Sequence, residues 1–218
     1  MSLAHSTMLP LGADLPDFTL ADGDGHPYTL SALAGQKGLF VIFICNHCPY
    51  VQHINPALAV LGAELAENDI GMVAISSNDI ERYPDDAPER MADFARDNGY
   101  TFPYLYDADQ TAAKAFSAAC TPDLYLFDAG LKLVYRGRFD ATRPEQGVAA
   151  DGADLKRAVA GMLSGEPPLA EQLPSAGCSI KWRRGEEPVE AGQGAVGGVV
   201  VGRGAMDHGR HRGGSPGF

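Results

Sequence analysis

Two cysteines separated by two residues, Cys45 and Cys48, are the side chains in this sequence with the clearest capacity for chemistry. In a chain without an obvious extracellular signature, such a pair either exchanges disulfides or binds a metal. Cys45 follows a continuous apolar run, Leu39–Ile44, and Cys48 precedes Pro49 and an amphipathic stretch. The pair is therefore predicted to lie between a buried strand and the start of a helix.

The start of a helix is a favourable place for a redox-active thiol. Unpaired N–H groups and a partial positive charge stabilise a thiolate there, and thiol pKa values in such motifs fall from ~8.5 to as little as ~3.5. We expect Cys45 to attack a partner disulfide and Cys48 to resolve the resulting mixed disulfide. Pro49 suits the first helical position, because its missing N–H is not needed there.

The rest of the chain alternates predicted strands with predicted helices. The strands are expected at residues 17–20, 27–30, 39–44, 70–76, 104–106, 124–127 and 131–136, and the helices at 50–67, 87–98, 110–118 and 154–163. Pro56 should kink or divide the first helix. This order, with a hairpin late in the chain, predicts an α/β domain with a central mixed β-sheet flanked by helices.

Changes in composition divide the chain into four predicted segments. Residues 1–9 are expected to be a flexible N-terminus and residues 10–165 the α/β domain. Residues 166–184 are interpreted as a docked extension, anchored on the domain by Trp182. Residues 185–218 are rich in glycine without a regular period, so we expect a disordered tail.

Composition excludes several classes of function. The chain has 218 residues, of which 45% are hydrophobic, and a formal net charge of −11. That acidity disfavours binding to nucleic acid or to anionic membranes. No apolar run approaches the ~18 residues of a membrane span. The first residues show no secretory signal pattern, so the expected location is the cytoplasm, where thiols stay reduced.

Three segments together resemble a known family: Phe43–Val51 (FICNHCPYV), Cys120–Asp123 (CTPD) and Gly177–Trp182 (GCSIKW). They resemble the thioredoxin-like superfamily and, more narrowly, a bacterial group of peroxiredoxin-like (redoxin, AhpC/TSA-type) proteins, over about residues 10–184. The resemblance implies a thioredoxin-like fold and thiol–disulfide oxidoreductase activity. It also implies partners that are disulfide- or dithiol-containing proteins or low-molecular-weight thiols, and no organic cofactor.

The resemblance assigns roles to further residues. It implies that Pro122 has a cis peptide bond and shapes the partner groove beside the cysteine pair, and that the backbone of Thr121 pairs with a bound partner peptide. Thioredoxin itself has Trp before the first cysteine and Gly-Pro inside the pair, where this chain has Ile44 and Asn46-His47. An imidazolium at His47 would stabilise a thiolate and make the couple more oxidising. The alternative is a solvated loop histidine with no such effect.

Thiol-dependent peroxidase activity is an alternative function that these residues support less well. The cysteine that aligns with the peroxidatic cysteine of peroxiredoxins is Cys48. Cys45 stands where those enzymes have Thr, Val41 stands where they have Pro, and Thr121 lies near the expected position of their Arg. Without those groups a peroxide would be poorly oriented, so we expect little dedicated peroxidase activity.

The two other cysteines, Cys120 and Cys178, have open roles. Cys120 is either a third redox thiol or a small buried hydrophobic residue. Cys178 is either an additional resolving thiol or inert. A zinc-binding module is a further alternative, in which the ligands would be Cys45, Cys48, Cys120 and one of His47, His53 or Cys178. A non-catalytic binding module ranks lowest, because the cysteine pair is present.

Overall fold

The computed structural model describes residues 2–188. The β-strands are β1 (Leu3–His5), β2 (Thr19–Asp22), β3 (Pro27–Thr29), β4 (Gly38–Phe43), β5 (Ile70–Ser76), β6 (Tyr104–Tyr106), β7 (Cys120–Thr121), β8 (Asp123–Asp128), β9 (Leu133–Gly137) and β10 (Ala176–Ser179). The α-helices are α1 (Pro49–Glu67), α2 (Pro88–Asp97), α3 (Thr111–Ala115) and α4 (Ala153–Leu163).

The central sheet is built from two groups of hydrogen-bonded strands, one in the order β3-β2-β6-β5 and the other in the order β4-β8-β9. The two groups meet where the backbone N–H of Ile44 donates to the carbonyl of Ile75 at 2.9 Å. Strands β5 and β6 are parallel, whereas β4 and β8 are antiparallel. The prediction of an α/β fold with a mixed sheet between helices is confirmed.

Strand β4 lies at the centre of the molecule, and all six of its residues are buried. Alternate side chains enter two separate hydrophobic clusters. Phe40 and Ile42 face the cluster that contains α1, together with Cys45 and Cys48. Val41 faces the other cluster. Burial on both faces explains why this strand has a continuous apolar sequence rather than an alternating one.

Helix α1 is not divided at Pro56, and it runs as one helix from Pro49 to Glu67. Proline removes one backbone hydrogen bond from the interior of a helix. Here the buried side chains before and after it, such as Ile54 and Leu58, belong to one hydrophobic cluster. That shared packing holds both parts of the helix against the sheet.

A separate three-stranded sheet has the order β1-β10-β7. Its strands differ most from the secondary structure expected from the sequence. Leu3–His5, within the segment expected to be flexible, forms a strand because its backbone pairs with β10. Strand β10 lies within the segment 166–184, and Trp182 packs against the hydrophobic cluster of Val41. Almost all of the segment expected to be a disordered tail, from residue 189 onwards, lies outside the described residues.

Candidate active site

The cysteine pair lies at the junction between β4 and α1. Cys45 comes directly after Ile44, which ends the buried apolar run, and Cys48 is the N-cap of α1 with extended backbone angles. Pro49 occupies the first turn of the helix, as its missing N–H predicts. Both cysteines are buried, with 1% and 0% of their surface exposed. The site is therefore a dithiol held at a helix start and covered by other parts of the chain.

The segment of Thr121 and Pro122 faces this pair. The peptide bond between the two residues is cis, as the family resemblance implies. The Cys48 thiol lies 3.2 Å from the carbonyl oxygen of Thr121 and donates to it. The Cys45 sulfur lies 3.6 Å from the Thr121 hydroxyl, which can donate to a thiolate there. The structure thus brings together four of the residues that the sequence singled out: Cys45, Cys48, Thr121 and Pro122.

The two thiols influence each other's ionisation. A hydrogen bond from Cys45 lowers the pKa of Cys48 to about 5, against the opposing effect of burial. The same contact raises the pKa of Cys45, as do burial and the negative charge of Asp86. The opposite directions of the two pKa shifts favour one thiolate and one thiol in the pair, which titrates as a coupled unit.

His47 is paired with a carboxylate that nothing in the sequence singles out. Its Nδ1 lies 2.8 Å from an Oδ atom of Asp86, and its ring stacks on Tyr83 with centroids 5.7 Å apart. The contact with the Asp86 carboxylate raises the pKa of His47. The Asp86 carboxylate neutralises an imidazolium at His47. The effect of that imidazolium on the thiol pKa values is therefore smaller than the effect of an isolated positive charge.

Asp86 is fully buried, and it fixes the loop between the two cysteines. Its Oδ1 accepts the backbone N–H of Asn46 at 2.8 Å, and its Oδ2 accepts the side-chain amide of Asn78 at 2.8 Å. Asn46 in turn accepts the hydroxyl of Tyr104 at 3.0 Å. The sequence shows only an acidic residue in a polar loop, and nothing in its spacing indicates that it is buried.

The pairing of His47 with Asp86 leads to a prediction about pH and stability. A histidine whose pKa is raised by folding contributes stability below its unfolded pKa and loses it as the pH rises through the folded value. We expect the difference in unfolding free energy between the wild type and His47→Gln to be largest at acidic pH and to shrink as the pH rises. Urea denaturation of both proteins from pH 5.5 to 9 measures it. A difference that does not vary with pH would contradict the ion pair.

A metal could be held by a different set of residues from the one proposed from the sequence. In residues 2–188, ligand atoms of Cys45, His47 and Asp86 lie within 4.8 Å of one another. Neither Cys48 nor Cys120 joins them in that described part of the chain. His53 instead contacts the Thr142 hydroxyl at 2.8 Å. The four-ligand zinc sets considered above are therefore not assembled.

The two additional cysteines have contrasting positions. Cys120 is fully buried, and its thiol donates to the carbonyl of Pro122 at 3.5 Å. Burial raises its pKa well above the ordinary value, which disfavours redox reactivity. Cys178 lies on β10 directly opposite Thr121, in hydrogen-bonding contact with Cys48. The sequence leaves a resolving role for Cys178 open but does not place this contact, because β10 has no recognisable strand pattern.

The groups that a peroxiredoxin would use are not arranged around the cysteines. Val41 faces the hydrophobic cluster on the other side of β4 from Cys48. Arg138 forms an ion pair with Asp154 at 2.6 Å, and Arg136 donates to the carbonyl of Leu9. Among the hydrogen bonds of the described residues, none joins an arginine to the sulfur of Cys45 or Cys48. The guanidinium groups of Arg136 and Arg138 are thus engaged with Leu9 and Asp154.

A second buried acid lies next to Pro122. Asp123 is fully buried, and burial raises its pKa to about 7. Its carboxylate accepts the backbone N–H of Ala119 at 3.0 Å. The sequence does not locate a buried acid near the cysteines, whereas the structure has two, Asp86 beside Cys45 and Asp123 beside the cis peptide bond.

A mixed sheet, a dithiol at a helix start and a facing cis-proline define a thioredoxin-like thiol redox protein. The chain belongs to the AhpC/TSA family, whose model matches residues 11–136. It is 29% identical over 131 residues to the thiol-disulfide oxidoreductase ResA of Geobacillus kaustophilus, a match that covers 57% of this chain and 67% of that protein.

Two solved structures resemble a larger part of the chain. One is an uncharacterized conserved protein from Geobacillus kaustophilus, with 44% identity, a TM-score of 0.81 and coverage of 84% of this chain and 97% of that one. The other is a hypothetical protein from Sinorhizobium meliloti, with 43% identity, a TM-score of 0.80 and coverage of 83% and 99%. The described residues contain no helix that is long and apolar enough to cross a membrane.

Proposed function

We propose that the protein is a thiol–disulfide oxidoreductase in which Cys45 and Cys48 cycle between a dithiol and a disulfide. Its partners would be disulfide- or dithiol-containing proteins or low-molecular-weight thiols. The observation that carries the proposal is the hydrogen-bonded pair of sulfurs at the start of α1, facing Thr121 and Pro122. The match to a relative named as a thiol-disulfide oxidoreductase supports the same activity.

In the proposed reaction, the proton shared by the two sulfurs moves from Cys45 to Cys48. The Cys45 thiolate, supported by the Thr121 hydroxyl, attacks one sulfur of the partner disulfide and displaces the other as a thiolate. Cys48 then loses its proton and attacks Cys45, which releases the second partner sulfur. The partner gains two electrons and the pair becomes a disulfide, while one further proton comes from solvent.

The pKa of Cys48 bears on the direction of electron flow. A thiolate with a pKa of about 5 stabilises the reduced protein, and stabilising the reduced form makes a couple more oxidising. We therefore propose a potential above that of thioredoxin, between about −270 and −120 mV. Buffered ratios of oxidised and reduced dithiothreitol, followed by alkylation and peptide mass spectrometry, would measure it for each cysteine.

This titration has two outcomes that would contradict the proposal. One is a pair that stays reduced throughout while Cys120 or another thiol reacts. The other is a pair that is protected from alkylation until zinc is released, which would favour a metal site. The zinc content of protein purified without chelator is the matching control. The cytoplasmic location expected from the sequence stays a prediction.

Peroxide reduction is the second candidate, and membership in the AhpC/TSA family favours it. The low pKa of Cys48 would supply a thiolate, but the missing arginine contact argues against an efficient reaction. We expect Cys48 to react with hydrogen peroxide no faster than a free thiolate does. A stopped-flow experiment tests this by comparing the oxidation rate of Cys48 with that of free cysteine. Both rates are corrected for the fraction of each thiol that is ionised. A much faster rate that Cys48→Ser abolishes would make the protein a peroxidase.

A further inference from the structure

Strand β10 occupies the backbone edge that a partner peptide is expected to use. Its residue Cys178 pairs opposite Thr121, and Ser179 pairs opposite Cys120, in an antiparallel ladder. The approach is close, since a Cβ atom placed on Gly177 would lie 2.0 Å from the Thr121 carbonyl oxygen. Only glycine permits this contact, so the sequence of β10 is adapted to lie against the segment of the cis-proline.

Hydrogen bonds on both sides hold β10 in place. The Ser175 hydroxyl donates to the carbonyl of Pro122 at 2.6 Å, and the N–H of Ile180 donates to the carbonyl of Ala119 at 3.1 Å. The other edge of the strand pairs with β1, where Leu3 lies opposite Cys178. A peptide that adds to the Thr121 edge would have to displace this strand.

The strand also brings a thiol to the active-site pair. Hydrogen bonds from both the side chain and the backbone of Cys178 lower the pKa of Cys48. Burial, and then the contact with Cys48, raise the pKa of Cys178 itself to about 12, while the positive charge of Lys181 lowers it. When Cys48 is part of a disulfide, its sulfur carries no charge. The negative charge that opposes ionisation of Cys178 is then absent.

We propose that β10 is a built-in partner segment whose Cys178 exchanges into the active-site disulfide. In the oxidised protein, the Cys178 thiolate attacks the Cys48 sulfur of the Cys45–Cys48 disulfide. A Cys48–Cys178 bond forms, the Cys45–Cys48 bond breaks, and Cys45 leaves as a thiolate that takes up the proton lost by Cys178. The step is an isomerisation, so it needs no further oxidant, and it rests on the proposed function because that supplies the first disulfide.

This exchange would fix β10 covalently over the partner edge in the oxidised protein. Reduction of the Cys48–Cys178 bond would leave β10 held only by hydrogen bonds and packing. The Thr121 edge would then be accessible to a partner peptide only in molecules that lack the Cys48–Cys178 bond. The contact between Cys178 and Cys48, which lowers the pKa of Cys48, would thus couple the redox state of the cysteines to the accessibility of the Thr121 edge.

The test is a disulfide map of the full chain after oxidation with glutathione disulfide, obtained by alkylation, proteolysis and mass spectrometry. We expect the wild type to contain Cys48–Cys178 in addition to Cys45–Cys48. Cys45→Ser should form Cys48–Cys178 alone. A wild type with only Cys45–Cys48, together with a Cys45→Ser protein that remains reduced or glutathionylated at Cys48, would overturn the inference and leave the proposed function intact.

A matched pair of glycine variants tests the role of the strand. Gly177→Ala places a methyl group against the Thr121 carbonyl, whereas Gly161→Ala on α4 finds its nearest neighbour at an ordinary 3.5 Å. We expect Gly177→Ala to lower the fraction of oxidised protein that contains the Cys48–Cys178 disulfide. Gly161→Ala should leave that fraction unchanged. An unchanged fraction in a Gly177→Ala protein would contradict the inference, and if that variant fails to fold, the Cys45→Ser map still decides. Absence of both disulfides from the wild type would instead count against the proposed function.

Discussion

Replacing Cys48 by serine is expected to stop catalysis after a single step and to leave a partner covalently attached to Cys45. The attacking sulfur remains, but the residue that would resolve the mixed disulfide is lost. Turnover of insulin reduction by dithiothreitol should fall to the uncatalysed rate in both Cys48→Ser and Cys45→Ser. Only Cys48→Ser should accumulate a mixed disulfide on a non-reducing gel, with the link mapped to Cys45.

This trapping experiment also decides which sulfur attacks. A mixed disulfide that accumulates in Cys45→Ser, mapped to Cys48, would reverse the two roles, in agreement with the lower pKa of Cys48. Because Cys178 contacts Cys48, the trap should be repeated in a Cys48→Ser/Cys178→Ser background to exclude resolution by Cys178. Cys120→Ala serves as the cysteine control, since the Cys120 thiol is buried against the Pro122 carbonyl, and it should retain turnover.

The second large effect is expected at Asp86. Asp86→Ala leaves the backbone N–H of Asn46 and the amide of Asn78 without their acceptor, and it removes the carboxylate that pairs with the ring of His47. Removing one partner from a buried charged network costs about 3 to 5 kcal/mol. The free energy of unfolding in urea should fall by about that amount, with an unchanged dependence on denaturant. The exposed neighbour Asp85 provides the control, and Asp85→Ala should have little effect.

Asp86→Asn separates the electrostatic role of this carboxylate from its structural role. The amide keeps an oxygen that can accept the N–H of Asn46 but removes the negative charge. Since that charge raises the pKa of Cys45, iodoacetamide should alkylate Cys45 in the variant at lower pH than in the wild type. An identical pH profile would show that Asp86 acts only by fixing the loop.

The main strands and helices were predictable because their patterns are local. Strands β5 and β6 have the bounds expected from sequence, since each is a short apolar run rich in β-branched or aromatic residues. Strands β1, β7 and β10 were missed. Their two to four residues show no periodicity, and they are strands only because distant backbone segments pair with one another.

The residues of the candidate active site likewise differ in how far the sequence predicts them. Cys45, Cys48, Thr121 and Pro122 were identified by spacing and by resemblance, and the structure places them together. Asp86 was missed because burial of a polar-loop aspartate depends on tertiary packing. The contact between Cys178 and Cys48 was equally hidden, since it requires the register of β10 on β7.

The position of β10 in the chain sets the order in which the site is completed. Ribosomes make proteins from the N-terminus, and domains begin to fold as they emerge. Cys45, Cys48 and the cis-proline segment are all synthesised well before Ala176–Ser179, the strand that pairs over them. A nascent chain therefore exposes its dithiol to oxidants and to foreign thiols until Ala176–Ser179 has been made. The covered state requires β10, and a chain truncated before residue 176 would lack this cover.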